Sequence, residues 1–367
     1  MAVMHTARPL LEAIHTSCRQ PWTLMEVCGG QTHALLRHGI DRLLPERLTL
    51  IHGPGCPVCV TASEQLDRAI ALASDPQVIL CSYGDMLRVP GSDGQTLLEA
   101  RSRGADVRVV YAPLDVLAIA RSHPQQRVVF LAVGFETTAP ATALLAIQAR
   151  AAAVHNLELL VCHVRVAPVL DQMLAEPSCR VQAVLAAGHV CTVMGEDAYV
   201  ELVNRHRRPI VITGFSAEEL LRGILAAVRQ LEAGEHRVEN AYRPAVRDGG
   251  NVAGQALLDR VFEPIDTPWR GLGVIRAGGY RLKAPFDQLA ARPPRNPEPT
   301  ARHHGTAIAT AAPAEREADC PAGAVLQGLL KPHQCPHFGR RCTPDQPLGA
   351  PMVSSEGACA AYHRYQD

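Results

Sequence analysis

The segment VVFLAVGFETTAP, residues 128–140, is an apolar run that ends in a Gly-Phe turn and leads into helix-forming sequence. A continuous apolar run of this length, ended by a glycine, predicts a buried strand. The amphipathic stretch Ala141–Val154 predicts the helix that follows it. A buried strand, a tight turn and a helix in this order are typical of a βαβ unit, so the segment predicts a parallel sheet covered by helices.

Seven further short runs of apolar or β-branched residues have the same character. They are Leu24–Cys28, Leu48–Ile51, Val78–Cys81, Val107–Tyr111, Leu157–Cys162, Val181–Leu185 and Ile210–Thr213. Most of them precede an amphipathic stretch of helix length, of which Glu64–Ala73, Leu114–Arg121 and Ala217–Leu231 are the clearest. Aromatic residues make up only 4% of the chain, so the core must consist of Val, Leu, Ile and Ala. The sequence therefore predicts an α/β fold with mainly parallel sheets.

A weak internal repeat predicts how the chain divides. The turn VGFETTAP at 133–140 is similar to ITGFSAEE at 212–219, because each combines a strand end, a Gly-Phe pair and a helix start with capping residues. We therefore predict two similar, Rossmann-like lobes, residues 1–123 and residues 124–240.

The remainder of the chain is predicted to be less regular. Residues 241–291, which include VFEPIDTPWRGLG, are interpreted as an irregular connector. Residues 292–319 are rich in Pro and Ala, a composition that predicts a flexible linker. Residues 320–367 then form a separate small domain.

Charge and composition exclude several classes of protein. The chain carries 36 basic and 36 acidic residues, and no basic block alternates with aromatic residues, so nucleic acid is not an expected partner. No run approaches the roughly 20 apolar residues of a membrane span. The start, MAVMHTARPLLEAIHTSCRQ, lacks the apolar stretch of a secretory signal, so we expect a cytoplasmic protein. In that reducing compartment, 12 cysteines indicate metal ligands, redox thiols or small buried residues rather than bridges.

Four cysteines, Cys320, Cys335, Cys342 and Cys359, lie in a tail rich in Pro and Gly. A short segment without its own hydrophobic core needs a metal or disulfides to be ordered. Structural zinc usually takes its ligands from C-x2-4-C pairs, which this tail lacks. Dispersed thiolates suit a [4Fe-4S] cluster, which we predict here. Zinc, and disulfides or free thiols, stay open as alternatives.

The turn LMEVCGGQTHA has a cysteine at the end of a predicted strand. Gly29 and Gly30 allow backbone to approach a ligand, and Thr32 and His33 lie where the next helix begins. Because helix N-terminal dipoles lower the pKa of a thiol, Cys28 is expected to be a thiolate that binds metal or acts as a nucleophile. The alternative is a buried cysteine before a tight turn.

A second turn, IHGPGCPVCV, contains the pair Cys56 and Cys59 between a strand and a helix. In a cytosolic α/β protein this C-x-x-C spacing indicates a redox-active or metal-binding pair, and a structural pair is the alternative.

A third turn, GFETTAP, presents Glu136, Thr137 and Thr138 at the end of a strand, either as functional groups or as helix caps. The carboxyl ends of parallel strands share one edge of a sheet, so the three turns are expected to converge.

Other cysteines and histidines carry less information. Cys18, Cys81, Cys162, Cys179 and Cys191 have no motif partner, so we interpret them as packing residues. His163 and His189 also end predicted strands, but a single histidine is more often structural.

Six segments, in order from about Trp22 to Tyr365, resemble one known family. They are MEVCGGQTHA, GPGCPVCV, YGDMLRVPGS, GFETTAP, WRGLG and CTP…MVSSEGACAAYHRY. Together they resemble HypD, the [NiFe]-hydrogenase maturation factor family. The resemblance implies a scaffold on which iron acquires cyanide and carbon monoxide, with the chaperone HypC and with cyanide from HypE. It also implies a C-terminal [4Fe-4S] cluster.

The resemblance assigns roles to individual residues. It implies that Cys28 is the ligand of the Fe(CN)2CO unit, shared with a cysteine of HypC, and that Cys56 and Cys59 are redox-active. The implied cluster ligands are the four cysteines of the tail. Two further residues, Glu136 and His33, are candidate catalytic groups. The candidate cofactor-binding residues are Gly29, Gly30, Thr137 and Thr138.

Three features differ from the family's pattern: the long linker, Pro351 in place of a frequent cysteine, and GFSA at 214–217 in place of GFEP. Position 351 is therefore not an obligatory ligand. Two alternative functions stay open, a stand-alone thiol-disulfide oxidoreductase that uses Cys56 and Cys59, and a noncatalytic iron-binding scaffold with a structural cluster.

Overall fold

The computed structural model describes residues 2–294 and 320–365. Residues 295–319, which are most of the predicted linker, lie outside the described residues. No helix in the described ranges is both long enough and apolar enough to cross a membrane.

The described chain alternates strands and helices over most of its length. The strands are β1 (Trp22–Glu26), β2 (Leu48–His52), β3 (Val78–Ser82), β4 (Asp106–Val109), β5 (Arg127–Gly134), β6 (Leu157–His163), β7 (Ala183–Ala187), β8 (Ile210–Thr213), β9 (Val238–Asn240), β10 (Phe262–Trp269) and β11 (Gly273–Leu282). The α-helices are α1 (Ala2–Ser17), α2 (Gly29–Arg37), α3 (Ile40–Leu43), α4 (Pro57–Val60), α5 (Ser63–Ala73), α6 (Leu97–Ser102), α7 (Pro113–Ser122), α8 (Ala139–Ala151), α9 (Val166–Ala175), α10 (Gly188–Met194), α11 (Asp197–His206), α12 (Ala217–Ala233), α13 (Val252–Val261), α14 (Ala322–Leu326), α15 (Ala350–Val353) and α16 (Ala358–Tyr365). Short 3-10 helices occur at Gly84–Arg88, Ala284–Leu289 and Pro332–Gln334.

Two parallel sheets organise the fold, with strand orders β2-β1-β7-β8-β9 and β4-β3-β5-β6. All eight predicted strands are present, and β9 extends the first sheet by a short edge strand. Every residue of β5 is buried, as the continuous apolar run predicts for a strand covered on both faces. The α/β prediction with mainly parallel sheets is therefore confirmed.

The division into lobes at residues 123 and 124 is wrong, because strand pairing crosses that boundary. In the first sheet β1 pairs with β7, with Leu24 opposite Ala183. In the second sheet β3 pairs with β5, with Val78 opposite Arg127. Each lobe is therefore discontinuous in sequence. The boundary was predicted from short turn motifs. Such motifs carry no information about which strands pair, because parallel pairing depends on burial of the whole sheet.

The two sheets are nevertheless similar in topology. Numbered within its own sheet, each has the order 2-1-3-4, and the first sheet adds a fifth strand. The two Gly-Phe turns are not equivalent, however, since GFETT follows the third strand of its sheet and GFSA follows the fourth. In sheets of this order the chain reverses direction across the sheet at one point, and ligands bind there, outside the carboxyl ends of the strands. Those points lie between β1 and β7 and between β3 and β5.

The predicted irregular connector is in fact ordered by an antiparallel hairpin, β10–β11. Only the end residues of β10, Phe262 and Trp269, are buried, and Pro264 and Pro268 interrupt the sequence pattern of a strand. Proline is tolerated there because a two-stranded sheet leaves one edge of each strand unpaired. The hairpin is bonded to a segment that follows each sheet: Arg270 N, in its turn, donates to Val60 O of α4 at 2.9 Å, and Arg165 N, just after β6, donates to Gly278 O of β11 at 2.9 Å.

Because the lobes interleave, we predict that a fragment of residues 1–123 does not fold by itself. It contains β1 to β4 but lacks β5 and β7, so each half-sheet exposes an edge and faces that are buried in the whole chain. Urea titration followed by circular dichroism tests this expectation, with the full chain as the control. A cooperative unfolding transition in the fragment would contradict the interleaved topology.

Candidate functional site

Cys28 lies where the first sheet is expected to bind ligands. It follows β1 and is the N-cap residue of α2. The adjacent strand β7 is followed by His189, whose Nδ1 lies 3.6 Å from Cys28 Sγ. Phe215, from the GFSA turn, contacts the His189 ring with a centroid distance of 5.4 Å. The sequence alone favours a structural role for His189, whereas its position after β7, the strand next to β1, brings it beside Cys28.

Close approaches of backbone hold the Cys28 turn in place. Cys28 N donates to Glu26 Oε2 at 2.8 Å, and Gly29 N donates to Gly55 O at 2.9 Å. A Cβ atom on Gly55 would collide with the Cys28 amide nitrogen, and one on Gly29 would collide with the Glu356 carbonyl. The glycines are therefore required for the turn, the CPVC loop and the tail to meet.

The expectation that Cys28 is a thiolate is corrected by its burial. Burial raises the pKa of Cys28 well above its usual value. The N–H groups of Gln31 and Gly30 at the helix start lower the pKa, whereas the charges of Glu26 and Glu356 raise it. The helix N-terminus therefore acts in the expected direction, but desolvation outweighs it. Burial therefore favours the protonated thiol.

Cys56 and Cys59 are joined by a disulfide whose Cα atoms are 5.2 Å apart. Cys56 is the N-cap residue of α4, and its Sγ accepts from Cys59 N at 3.1 Å. The two residues are only 3% and 1% exposed. Cys59 Sγ lies 3.9 Å from the carbonyl oxygen of Ala350, which belongs to the tail. The pair is therefore covered by the tail and not open to solvent.

Glu136 is a buried carboxyl group at the end of β5. Its Oε1 accepts from Val166 N at 3.0 Å, and its Oε2 has no hydrogen-bond partner among the described residues. Burial raises the pKa of Glu136 to about 7, although its own N–H, that of Val166 and the charge of Arg165 lower it. This carboxyl group therefore exchanges a proton near neutral pH.

Arg165 Nε, near Glu136, also lacks a hydrogen-bond partner among the described residues, whereas the Tyr199 hydroxyl faces the Cys191 thiol. Burial raises the pKa of Tyr199, and the charges of Cys191 and Glu136 raise it further, so these groups lie close together. Cys191 is thus a packing residue that faces a polar group. His163 Nε2 lies 2.9 Å from Thr142 Oγ1, but its buried Nδ1 has no hydrogen-bond partner among the described residues.

The two threonines of GFETT do not cap the following helix with their side chains. Thr138 is the N-cap residue of α8, but its side chain makes no capping hydrogen bond and donates to Phe135 O at 3.3 Å. Thr137 is half-buried beside it. A cofactor-binding role for either residue stays a prediction.

The tail packs directly on the predicted turns. Helix α15 contacts α4, and Arg88 Nη2 donates to Val353 O at 2.6 Å. Ser354 Oγ lies 3.0 Å from Asp85 Oδ2, at the end of β3. The tail thus contacts both points at which the sheets are expected to bind ligands.

His33 also contacts the tail. Its Nε2 lies 2.9 Å from the Tyr365 hydroxyl, and the two rings meet edge to face at 5.0 Å. Burial lowers the pKa of His33, and Arg364 and Arg37 lower it further, so the imidazole is neutral at pH 7. Its catalytic role stays a prediction.

The four tail cysteines are free thiols. Burial raises the pKa of Cys359, and the charges of Cys320, Cys342 and Cys335 raise it further, so the four groups act on one another. Leu348 N donates to Cys342 Sγ at 3.4 Å. In residues 2–294 and 320–365, however, no three His, Cys, Asp or Glu side chains are arranged to hold one metal ion. The cluster therefore stays a prediction.

Two departures from the family pattern have structural explanations. Pro351 is buried in the first turn of α15, where proline is favoured because its missing N–H has no helical partner. Ser216 of GFSA is the N-cap residue of α12 and accepts from Glu219 N at 3.3 Å. Position 351 is thus occupied by a helix-starting residue, and position 216 by a capping residue.

Trp269 forms part of the site, although its sequence motif predicts no role for it. It ends β10, is 2% exposed, and packs on Phe135 of the GFETT turn with ring centroids 6.1 Å apart. It also pairs with Thr61, just after the CPVC helix. Trp269 therefore fixes the hairpin between two of the three turns.

Comparison with known proteins agrees with this arrangement of motifs. The family model HypD, described as "Hydrogenase formation hypA family", matches residues 5–366. The chain belongs to the HypD family. It is 42% identical over 370 residues to "Hydrogenase maturation factor HypD" of Escherichia coli (strain K12), covering 100% of this chain and 95% of that protein. It is 42% identical over 369 residues to the Azotobacter vinelandii HypD, covering 98% and 94% of the two chains. The HypD of Rhodobacter capsulatus is 40% identical over 358 residues, covering 97% and 92%. This HypD-family chain is therefore a hydrogenase maturation factor.

The buried Glu136 predicts a pH-dependent difference in stability between wild type and Glu136→Gln. The folded protein binds more protons than the unfolded chain between the usual pKa of 4.5 and the folded value of about 7. Wild type therefore loses stability as pH rises through this window, by about 3 kcal/mol in total, and the glutamine variant lacks this loss. Urea unfolding of both proteins at pH 5 and pH 8 measures it. Stability profiles that run parallel would show that the Glu136 pKa is not raised.

Proposed function

We propose that this protein is a scaffold on which an iron ion, bound by Cys28, acquires cyanide and carbon monoxide to form an Fe(CN)2CO unit. The proposal includes the chaperone HypC as the partner that shares the iron and HypE as the source of cyanide. Cytoplasmic conditions suit it, because the chain keeps many cysteines as free thiols.

The observation that supports the proposal most strongly is the position of the Cys28 thiol. It lies at the switch point of the first sheet, beside His189, and its turn is contacted by the CPVC loop and by the tail. Soft thiolates are suitable ligands for iron, and cyanide and carbon monoxide favour low-spin iron(II). One thiolate from this chain leaves the other coordination positions of the iron for the diatomic ligands and for a partner.

We also propose that the tail binds a [4Fe-4S] cluster. Cys320, Cys335, Cys342 and Cys359 would hold it, since the charges of neighbouring tail cysteines raise the pKa values of Cys320 and Cys359. A Cβ atom on Gly349 would collide with Cys320 Sγ, so backbone approaches the sulfur closely. When bound, such a cluster supplies single-electron transfer, tuned by N–H groups directed at its sulfurs. The chain itself contributes the Leu348 N–H to Cys342.

We further propose that Cys56 and Cys59 cycle between disulfide and dithiol during assembly. Reduction breaks the S–S bond and consumes two electrons and two protons, which are returned on oxidation. The contact of Cys59 with Ala350 puts the pair next to the tail, so the two redox groups would be neighbours. Oxidation of the dithiol would supply two electrons at the edge of the sheets where Cys28 lies.

A stand-alone thiol-disulfide oxidoreductase is less well supported. Such an enzyme needs a sulfur that an external thiolate can attack, and both sulfurs of this pair are buried under the tail. A noncatalytic scaffold with a structural cluster differs from the proposal only in redox chemistry. It is favoured if assembly proceeds unchanged when Cys56 and Cys59 cannot form a disulfide.

The iron site predicts a specific loss in Cys28→Ala. The variant should keep its fold, its disulfide and its tail cluster, because Cys28 makes no side-chain contact with the tail cysteines in the described structure. It should lose the infrared stretching bands of iron-bound cyanide and carbon monoxide. The measurement is infrared spectroscopy of anaerobically purified protein that was produced with the other maturation proteins.

Cys81→Ala is the matched control, because Cys81 is a fully buried thiol within β3 and lies in no motif turn. It should retain the bands. Bands of full intensity in Cys28→Ala would remove Cys28 from the ligand set and overturn the proposal.

A further inference from the structure

A continuous chain of hydrogen bonds links the Cys28 turn to the C-terminal helix. Glu26 Oε2 accepts from Cys28 N at 2.8 Å, and Glu26 Oε1 lies 2.6 Å from His52 Nδ1. His52 Nε2 lies 3.0 Å from the Tyr362 hydroxyl. Thr32 Oγ1 also donates to Glu26 Oε1.

The chemistry of these groups fixes which atom donates in each hydrogen bond. Glu26 accepts from Cys28 N and Thr32 Oγ1, so His52 completes the set by presenting Nδ1–H to it. His52 Nε2 is then an acceptor, and the Tyr362 hydroxyl donates to it. Glu26, His52 and Tyr362 are 0%, 4% and 2% exposed, so water does not substitute for these bonds.

The chain joins three elements that carry motifs far apart in sequence. Glu26 ends β1 next to Cys28, and His52 ends β2 just before the CPVC loop. Tyr362 lies on α16, one turn after Cys359. The Tyr362 ring also stacks on His333, with centroids 5.7 Å apart, and His333 lies close in sequence to Cys335. Tyr362 is therefore in contact with the segments that hold two tail cysteines.

We propose that Glu26, His52 and Tyr362 are positioning residues for Cys28, which transmit the docking of the C-terminal helix to the Cys28 turn. The inference deepens the proposed function and rests on it, because Cys28 is there the iron ligand. When α16 is ordered around Cys359, Tyr362 orients His52. His52 orients Glu26, and Glu26 then fixes the amide of Cys28.

A role in filling space does not explain why Glu26, His52 and Tyr362 are polar. Burying polar groups costs free energy unless every one is hydrogen-bonded, and apolar side chains of similar size fill a core at lower cost. A satisfied polar network specifies one arrangement of the elements it joins. Here those elements are β1, β2 and α16, whose relative positions set the distance between Cys28, the CPVC loop and the tail.

The test measures how fast Cys28 reacts in the full-length protein. Protein produced alone, with its tail iron and sulfide content determined, is treated with iodoacetamide at one fixed pH, and alkylation of Cys28 is followed by peptide mass spectrometry. Loss of one hydrogen bond in Tyr362→Phe should accelerate this reaction about 2- to 10-fold, because local opening of the turn becomes easier. The buried Cys191 is the internal reference and should react at its wild-type rate.

Tyr365→Phe is the matched control. It removes a hydroxyl from the same helix, one that is also bonded to an imidazole, but that bond ends at His33 and does not reach Glu26. His52→Gln is a second variant that breaks the same chain. In the double variant with Tyr362→Phe, the fold-increase in the alkylation rate of Cys28 should be smaller than the product of the two single fold-increases.

Acceleration confined to Cys28 in Tyr362→Phe and His52→Gln supports the inference. An unchanged rate in both variants, the same acceleration in Tyr365→Phe, or equal acceleration of Cys191 overturns it. The assay involves no cyanide or carbon monoxide. Absence of the iron-bound infrared bands from wild type would therefore refute the proposed function without altering the result for the positioning chain.

Discussion

The seating of the tail against the carboxyl ends of the parallel strands is the interaction on which the rest of the site depends. Ala350 covers the Cys56–Cys59 disulfide, and the Glu356 backbone touches Gly29 beside Cys28. Tyr362 completes the hydrogen-bond chain that begins at Cys28. We propose that a metal centre held by the four tail thiols orders this Pro- and Gly-rich segment.

Burial and redox chemistry are connected through the same interaction. Desolvation by burial raises the pKa of Cys28 despite the helix N-terminus, and it raises the pKa of Glu136 to about 7. A neutral thiol is a poor nucleophile, so the empty site is protected from unwanted reactions. In the proposed function, binding of iron would displace this proton and generate the thiolate ligand.

The sequence predicted what depends on local pattern and missed what depends on distant contacts. Buried strands such as Val128–Val133 were correct, because a continuous apolar run has few other uses. The lobe boundary was wrong because the pairing of β1 with β7 is non-local. The hairpin was not predicted because Pro264 and Pro268 are uncommon in strands and are tolerated here only at an unpaired strand edge. The contact of Cys28 with His189 was beyond any local rule, since 161 positions separate them.

Hydrogen–deuterium exchange of the full chain, before and after anaerobic removal of iron from the tail, tests this account most directly. If the tail's metal orders the site, iron removal should raise amide exchange in the Cys28 turn and in the CPVC loop. Exchange in the buried strand β5 should stay unchanged, because its hydrogen bonds lie within the sheet. Equal protection of both turns with and without iron would contradict the claim that the docked tail assembles the site.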